Sequence, residues 1–165
     1  MNNRILYHAS MIEIPEPLAN IGRKDLDFGP GFYLTNDRQQ AENWAHTVSS
    51  RKKKGNPIVN IYEFDEESFL IESYNKKIFD SYSIEWLDFV SASRKGSQPW
   101  KGYDWIEGGI ANDSVISTVD AYVDGFINAH QALDKLENEK LRHQVCISNQ
   151  NIINRCLKFV KADTL

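Results

Sequence analysis

The segment Gly29-Pro30-Gly31-Phe32-Tyr33-Leu34-Thr35 constrains this chain more than any other. Its glycines permit a tight backbone path, and the aromatic and aliphatic residues behind them read as a strand. Asn36 stands where a helix N-cap belongs, with Gln39 three residues on, as in a capping box. Ala41, Trp44, Ala45 and Val48 follow at spacings that form one helical face. The chain therefore passes from strand to helix within a few residues, and Tyr33 and Trp44, eleven residues apart, flank that junction. Two aromatic planes so placed either sandwich a flat heteroaromatic group or pack edge to face in a core.

The remaining elements set the class. A short strand is expected over Arg4–His8, which puts His8 at a strand end, where a side chain can face a cleft. Residues 12–30 read as a long, aperiodic connection. Further strands are expected at Ile58–Phe64, Tyr103–Glu107 and Val145–Ile147. Helices are expected at Ser81–Arg94, Val119–Phe126 and Ala129–Leu136, and residues 152–159 form a closing apolar segment. These strands are not separated by regular helices, so the class is α+β and a doubly wound sheet is a poor fit. With 165 residues, 41% of them hydrophobic, a single domain over residues 1–165 is expected.

Charge and composition exclude several functions. Nineteen Lys+Arg against 23 Asp+Glu give a net charge of -4, which argues against a general nucleic-acid coat but leaves room for a local basic patch. Arg51-Lys52-Lys53-Lys54 is such a run; it either holds a phosphate-rich partner or solvates a helix end. Cys146 and Cys156 make neither a disulfide framework nor a zinc site, and His46, His130 and His143 lack ligand spacing, so no metal is expected. There is no 18-residue apolar run and no signal-like start, which points to a cytoplasmic protein without a membrane segment. Asp104, Glu107, Asp113 and Asp120 are available as acids or bases, but the sequence alone does not bring any two together.

Tyr7-His8-Ala9-Ser10, Gly29–Thr35 and the Tyr33-to-Trp44 step resemble, in order and spacing, the diphtheria-toxin and poly(ADP-ribose) polymerase-like branch of the ADP-ribosyltransferase fold. The whole chain also resembles an uncharacterised bacterial family of small proteins near those enzymes. The similarity includes Tyr103–Asp113 and Gln144–Gln150 and spans Tyr7 to Phe159. The resemblance implies a split antiparallel β core with flanking helices, NAD as cosubstrate, and transfer of ADP-ribose to a protein, RNA or DNA target with release of nicotinamide. His8 would then bond the nicotinamide ribose, Ala9 would hold the carboxamide through its backbone, and Ser10 and Gly31 would line the site. Tyr33 and Trp44 would stack on the ring. The position of the enzymes' catalytic Glu falls on Gln144, and Ala9 replaces their usual Gly. A glutamine accepts the same hydrogen bond but lacks the charge that opposes an oxocarbenium-like centre, so Asp113 or Glu107 is expected to supply it. The same departures imply two alternatives: a non-catalytic binder of NAD or ADP-ribose, or an interaction module bound by an antitoxin-like partner.

Overall fold

A computed structural model describes residues 3–21, 26–111 and 113–165. Along the chain run β1 (Asn3–Ser10), β2 (Phe32–Leu34), α1 (Arg38–Lys52), β3 (Ile58–Asp65), α2 (Glu66–Ile71), β4 (Lys76–Ile78) and α3 (Ile84–Arg94). They are followed by β5 (Trp105–Gly109), α4 (Asp113–Val123), α5 (Ala129–Leu136), β6 (His143–Ile147), α6 (Gln150–Cys156) and β7 (Leu157–Thr164). The strands form two sheets, one ordered β1-β3-β7 and one ordered β2-β6-β5-β4.

Strand β3 is the centre of the first sheet because its β-branched and aromatic residues bury on both faces. One face meets α1, whose Ala41 and Ala45 pack on Val59 and Ile61. The other face carries Leu6, Tyr62 and Phe64 against Phe32, Leu34, Trp105, Val145 and Ile147 of the second sheet. That second sheet turns its outer face, through Ile106 and Cys146, to α3, α4 and α5. Burial of Trp86, Leu87 and Val90 anchors α3 there, and Ser83 starts the helix by accepting the Trp86 N–H. A capping box between Asn128 and Gln131 starts α5.

The class is α+β with mixed sheets and flanking helices. The expectation of a wholly antiparallel core is corrected at β4, which pairs parallel to β5. His8 does not end its strand, since β1 continues to Ser10, paired with Ile58. The N-cap of α1 is Asp37, whose side chain accepts the Gln40 N–H; Asn36 instead gives its own N–H to His143 Nδ1. The helix expected over Val119–Phe126 lies earlier, as α4, and the chain turns out of it at Gly125, with φ of 79°. The closing apolar segment divides into α6 and β7, where Ile152 and Ile153 supply helix burial before the backbone extends along β3.

Candidate functional site

The two sheets meet where β1 runs past β2. Tyr7 N–H bonds Thr35 O at 2.8 Å and Thr35 N–H bonds Tyr7 O at 2.9 Å, and beyond this pair the strands diverge. In an antiparallel ladder both polar groups of a residue point to the same side, and sides alternate along the strand. Tyr7 faces β2, so Ala9 does too, and its N–H and C=O lie at the edge of β1 with no backbone partner among the described residues. Ala9 keeps a negative φ, and its methyl packs with the α1 cluster, away from the seam.

His8 lies beside this edge. Its ring stacks on Phe32 with centroids 4.3 Å apart, and its Nδ1–H donates to Tyr33 O at 2.6 Å. Burial lowers its pKa, with the Tyr33 carbonyl pulling the other way, so the imidazole is neutral. That tautomer leaves Nε2 as an acceptor, the form needed to receive a hydroxyl proton in a hydrogen bond. Ser10 accepts the Ile12 N–H and shapes the chain's exit from β1. Gly31 lets β2 lie close on β6, because a Cβ there would sit 2.4 Å from Cys146 Sγ and 2.8 Å from Ile147 O.

Tyr33 points to the opposite face of β2 from Phe32, into the cluster covered by α3–α5, and its hydroxyl donates to Gly29 O at 2.5 Å. Burial pushes its pKa far up and pushes the Cys146 thiol up to about 12, so neither is a nucleophile at neutral pH. Trp44 stands on α1, 52% exposed, with the Arg51 guanidinium 5.5 Å above its ring. The structure brings His8 to the backbone of Tyr33, and among the described residues no ring contact joins Tyr33 to Trp44.

Gln144 is 8% exposed on β6, and its Nε2 donates to Gly109 O at 3.3 Å, an oxygen that also accepts Trp86 Nε1–H at 3.0 Å. The same side chain favours the charged form of the carboxylate of Asp27, in the connection between β1 and β2. Asp27 further accepts the Ala111 N–H at 3.2 Å and pairs with Arg94 at 3.3 Å. Burial raises its pKa, opposed by Arg94, Ala111 and Gln144. Sequence reasoning misses Asp27, because an acid within an aperiodic, proline-containing connection gives no periodic signal of what it will touch.

The other expected carboxylates are placed differently. Glu107 Oε1 accepts from Arg4 at 2.5 Å and from His143 Nε2 at 2.6 Å, and Oε2 accepts Trp105 Nε1–H at 3.1 Å. Burial works to raise its pKa, but the bonds to His143 and Arg4 outweigh that and hold it at about 2. The side chain of Asp113 lies outside the described residues, and its backbone opens α4. Asp104 is structural, accepting from Asn75 N–H and Asn149 Nδ2 and so tying the entry of β4 to the cap of α6. Gly108 and Gly109 stand where Phe79 and Tyr82 close on the strand. Among the described residues no three His, Cys, Asp or Glu side chains converge as a metal site, and no helix is long and apolar enough to cross a membrane.

A family model described as "Protein of unknown function (DUF3990)" matches residues 4–159, from β1 into β7. The chain belongs to the DUF3990 family. No curated protein and no solved structure matches this DUF3990 chain. The matched span contains the seam at His8 and Ala9, the Asp27–Gln144 contact and the Glu107 cluster.

Proposed function

We propose that this DUF3990 protein binds NAD at the seam between its two sheets and transfers ADP-ribose to a macromolecular acceptor, releasing nicotinamide, on an ADP-ribosyltransferase-like split β core. The observation that carries this is the polar edge at His8 and Ala9. An unpaired backbone N–H and C=O on one residue match the acceptor and donor of a carboxamide, and the neutral His8 Nε2 beside them accepts from a ribose hydroxyl. In transfer, the bond between ribose C1′ and the nicotinamide nitrogen breaks, and its electron pair leaves with nicotinamide. The acceptor's nucleophilic atom then bonds C1′ and loses its proton. Gln144, at the position of the enzymes' catalytic Glu, keeps Oε1 as an acceptor, since Nε2 donates to Gly109 O.

Calorimetric titration with NAD and an assay of nicotinamide release test this. Binding is expected in the unmodified chain and is expected to fall at least about tenfold in folded His8→Ala, the size of one lost charge-free hydrogen bond or more. No heat and no release at millimolar NAD overturn the proposal. Binding without transfer is a second reading, favoured by the uncharged Gln144 at the centre of the amide network. It predicts NAD affinity with no nicotinamide released by any variant, Gln144→Glu included.

A further inference from the structure

We infer that the C-terminal end of α1 is a docking surface for a single-stranded nucleic acid, with Trp44 stacking a base and the run Arg51–Lys54 holding phosphates. The inference does not rest on the polar edge at His8 and Ala9; it gives Trp44, which the resemblance assigns to the nicotinamide ring, to a base instead.

Trp44 is a large aromatic ring left half in water on a helix whose buried positions are Ala41 and Ala45. Among the described residues no apolar cluster includes it; its neighbour is Arg51, whose guanidinium covers one face of the indole. Such a ring is backed by a cation and open on its other face, a platform for a planar π-system. Arg51, Lys52, Lys53 and Lys54 are all exposed, and none forms an ion pair among the described residues. Arg4, Arg38, Lys77, Arg94, Arg155 and Lys161 are paired with carboxylates, whereas these four adjacent cations are not. The acidic side chain of α1, Glu42, is occupied by Arg38 at the far end of the helix. Four cations therefore stand unneutralised on a chain of net charge -4.

Lys53 sharpens the point. It closes α1 at φ of 52°, a conformation that glycine adopts freely and lysine does not, and it is the non-glycine residue with positive φ among those described. The chain keeps a cation where a glycine would fit more easily. An anionic membrane would also attract this charge. It would, however, require apolar residues beside Trp44 to insert, and Asn43, His46 and Ser50 on the exposed side of the helix are polar. Polar groups, alternating charge-free donors and one stacking ring suit bases and phosphates.

The test is fluorescence anisotropy of labelled oligouridine and oligothymidine with the full chain, over a range of salt, beside vesicles of phosphatidylserine and phosphatidylcholine. Expected is binding of at least one oligonucleotide, with a slope of log affinity against log salt near about -3, as for four phosphates on a single strand. Lys52→Glu with Lys54→Glu is expected to flatten that slope and cut affinity at least about tenfold. Trp44→Ala is expected to cut affinity roughly tenfold with the slope unchanged, since stacking releases no counterions. Circular dichroism confirms folding, and Trp44→Phe, which keeps a ring, is expected to retain most affinity. No oligonucleotide binding at low salt, binding unmoved by either the lysine or the Trp44→Ala changes, or binding to the vesicles alone each overturns the inference. Binding of either oligonucleotide supports it, and oligodeoxyuridine, which differs from oligouridine in the sugar alone, identifies any sugar preference.

Discussion

Two carboxylates are buried on opposite faces of the β5–β6 pair, and they are treated differently. Glu107, on the face toward the first sheet, is 16% exposed and receives three donors, two of them from Arg4 and His143. Asp27, under the helical layer, is 13% exposed and receives longer bonds from Arg94 and the Ala111 amide. The first ends with its pKa depressed to about 2, the second with its pKa raised. Similar burial thus gives opposite results, because the number and closeness of charged donors decide whether desolvation is offset. Glu107 is a fastener between sheets. Asp27 is a carboxyl whose burial works against its charge, offset in part by Arg94, Ala111 and Gln144.

The largest expected effect comes from removing the fastener. Glu107→Gln leaves the half-buried Arg4 guanidinium without its anion and is expected to cost about 3 kcal/mol in urea unfolding, the low end of the range for a buried pair. Asp27→Asn removes a charge that its surroundings disfavour and is expected to change stability by no more than about 1 kcal/mol. Equal losses in the two variants break the comparison. Next comes acid. Because the Glu107 pKa falls from the ordinary 4.5 to about 2 on folding, its contribution is complete above 4.5 and is lost as pH drops through 2. This amounts to something on the order of 3 kcal/mol, and the limb is absent from Glu107→Gln. Asp27 works with the opposite sign: its pKa is raised, so its contribution is present below the ordinary 3.8 and declines as pH rises through its folded value. Unfolding curves from pH 2 to 7 for the unmodified chain and both variants separate the two slopes.

A smaller loss is expected at Gly109. A Cβ there would sit 2.3 Å from Tyr82 Cε1 and 2.7 Å from Leu141 Cδ1, so Gly109→Ala is expected to cost about 1–3 kcal/mol. Since the Gly109 carbonyl holds Gln144, the NMR signals of the Gln144 side-chain amide are expected to move as well, while those of His143 beside Glu107 stay put. The smallest effect lies at the entry of α1. Asp37→Ala is expected to cost about 1 kcal/mol and Asn36→Ala close to nothing, because the Asn36 contribution is a backbone N–H that alanine retains. If the acid limb of Asp37→Ala also shrinks, the Glu107 cluster depends on that entry through the Asn36–His143 bond.

What was legible in the sequence follows from where the signal resides. Ile58–Phe64 reads as a strand because it is apolar on both faces, and Ala129–Leu136 reads as a helix to the residue because its period and cap coincide. Strand β7 does not read so: Leu157-Lys158-Phe159-Val160-Lys161-Ala162 lies at a sheet edge, where polar residues are tolerated and alternation is broken by the irregularity at Ile61/Tyr62. Asn36 and Asp37 are both good caps, and the choice between them is made by His143, over a hundred residues away. The candidate site divides similarly. His8, Ala9, Tyr33 and Gln144 are named by local pattern and resemblance, whereas Asp27, Arg4 and His143 acquire meaning only from strand pairing. The Tyr103–Asp113 motif, conspicuous in the sequence, serves packing and sheet fastening at Asp104, Trp105, Glu107 and the two glycines.

The junction at Tyr7 and Thr35 is a ladder of one rung. Within each sheet the backbone dictates the spacing of strands, but a single rung acts as a pivot and leaves the angle between the sheets to the side chains around it. Phe32 meets Tyr62 edge to face at 5.8 Å and His8 face to face at 4.3 Å, so these three rings act as spacers that set how far the sheets splay. The separation of the strands at Ala9 is therefore a matter of ring volume, and a chain of this fold can change it by exchanging one aromatic for another without altering a single strand register.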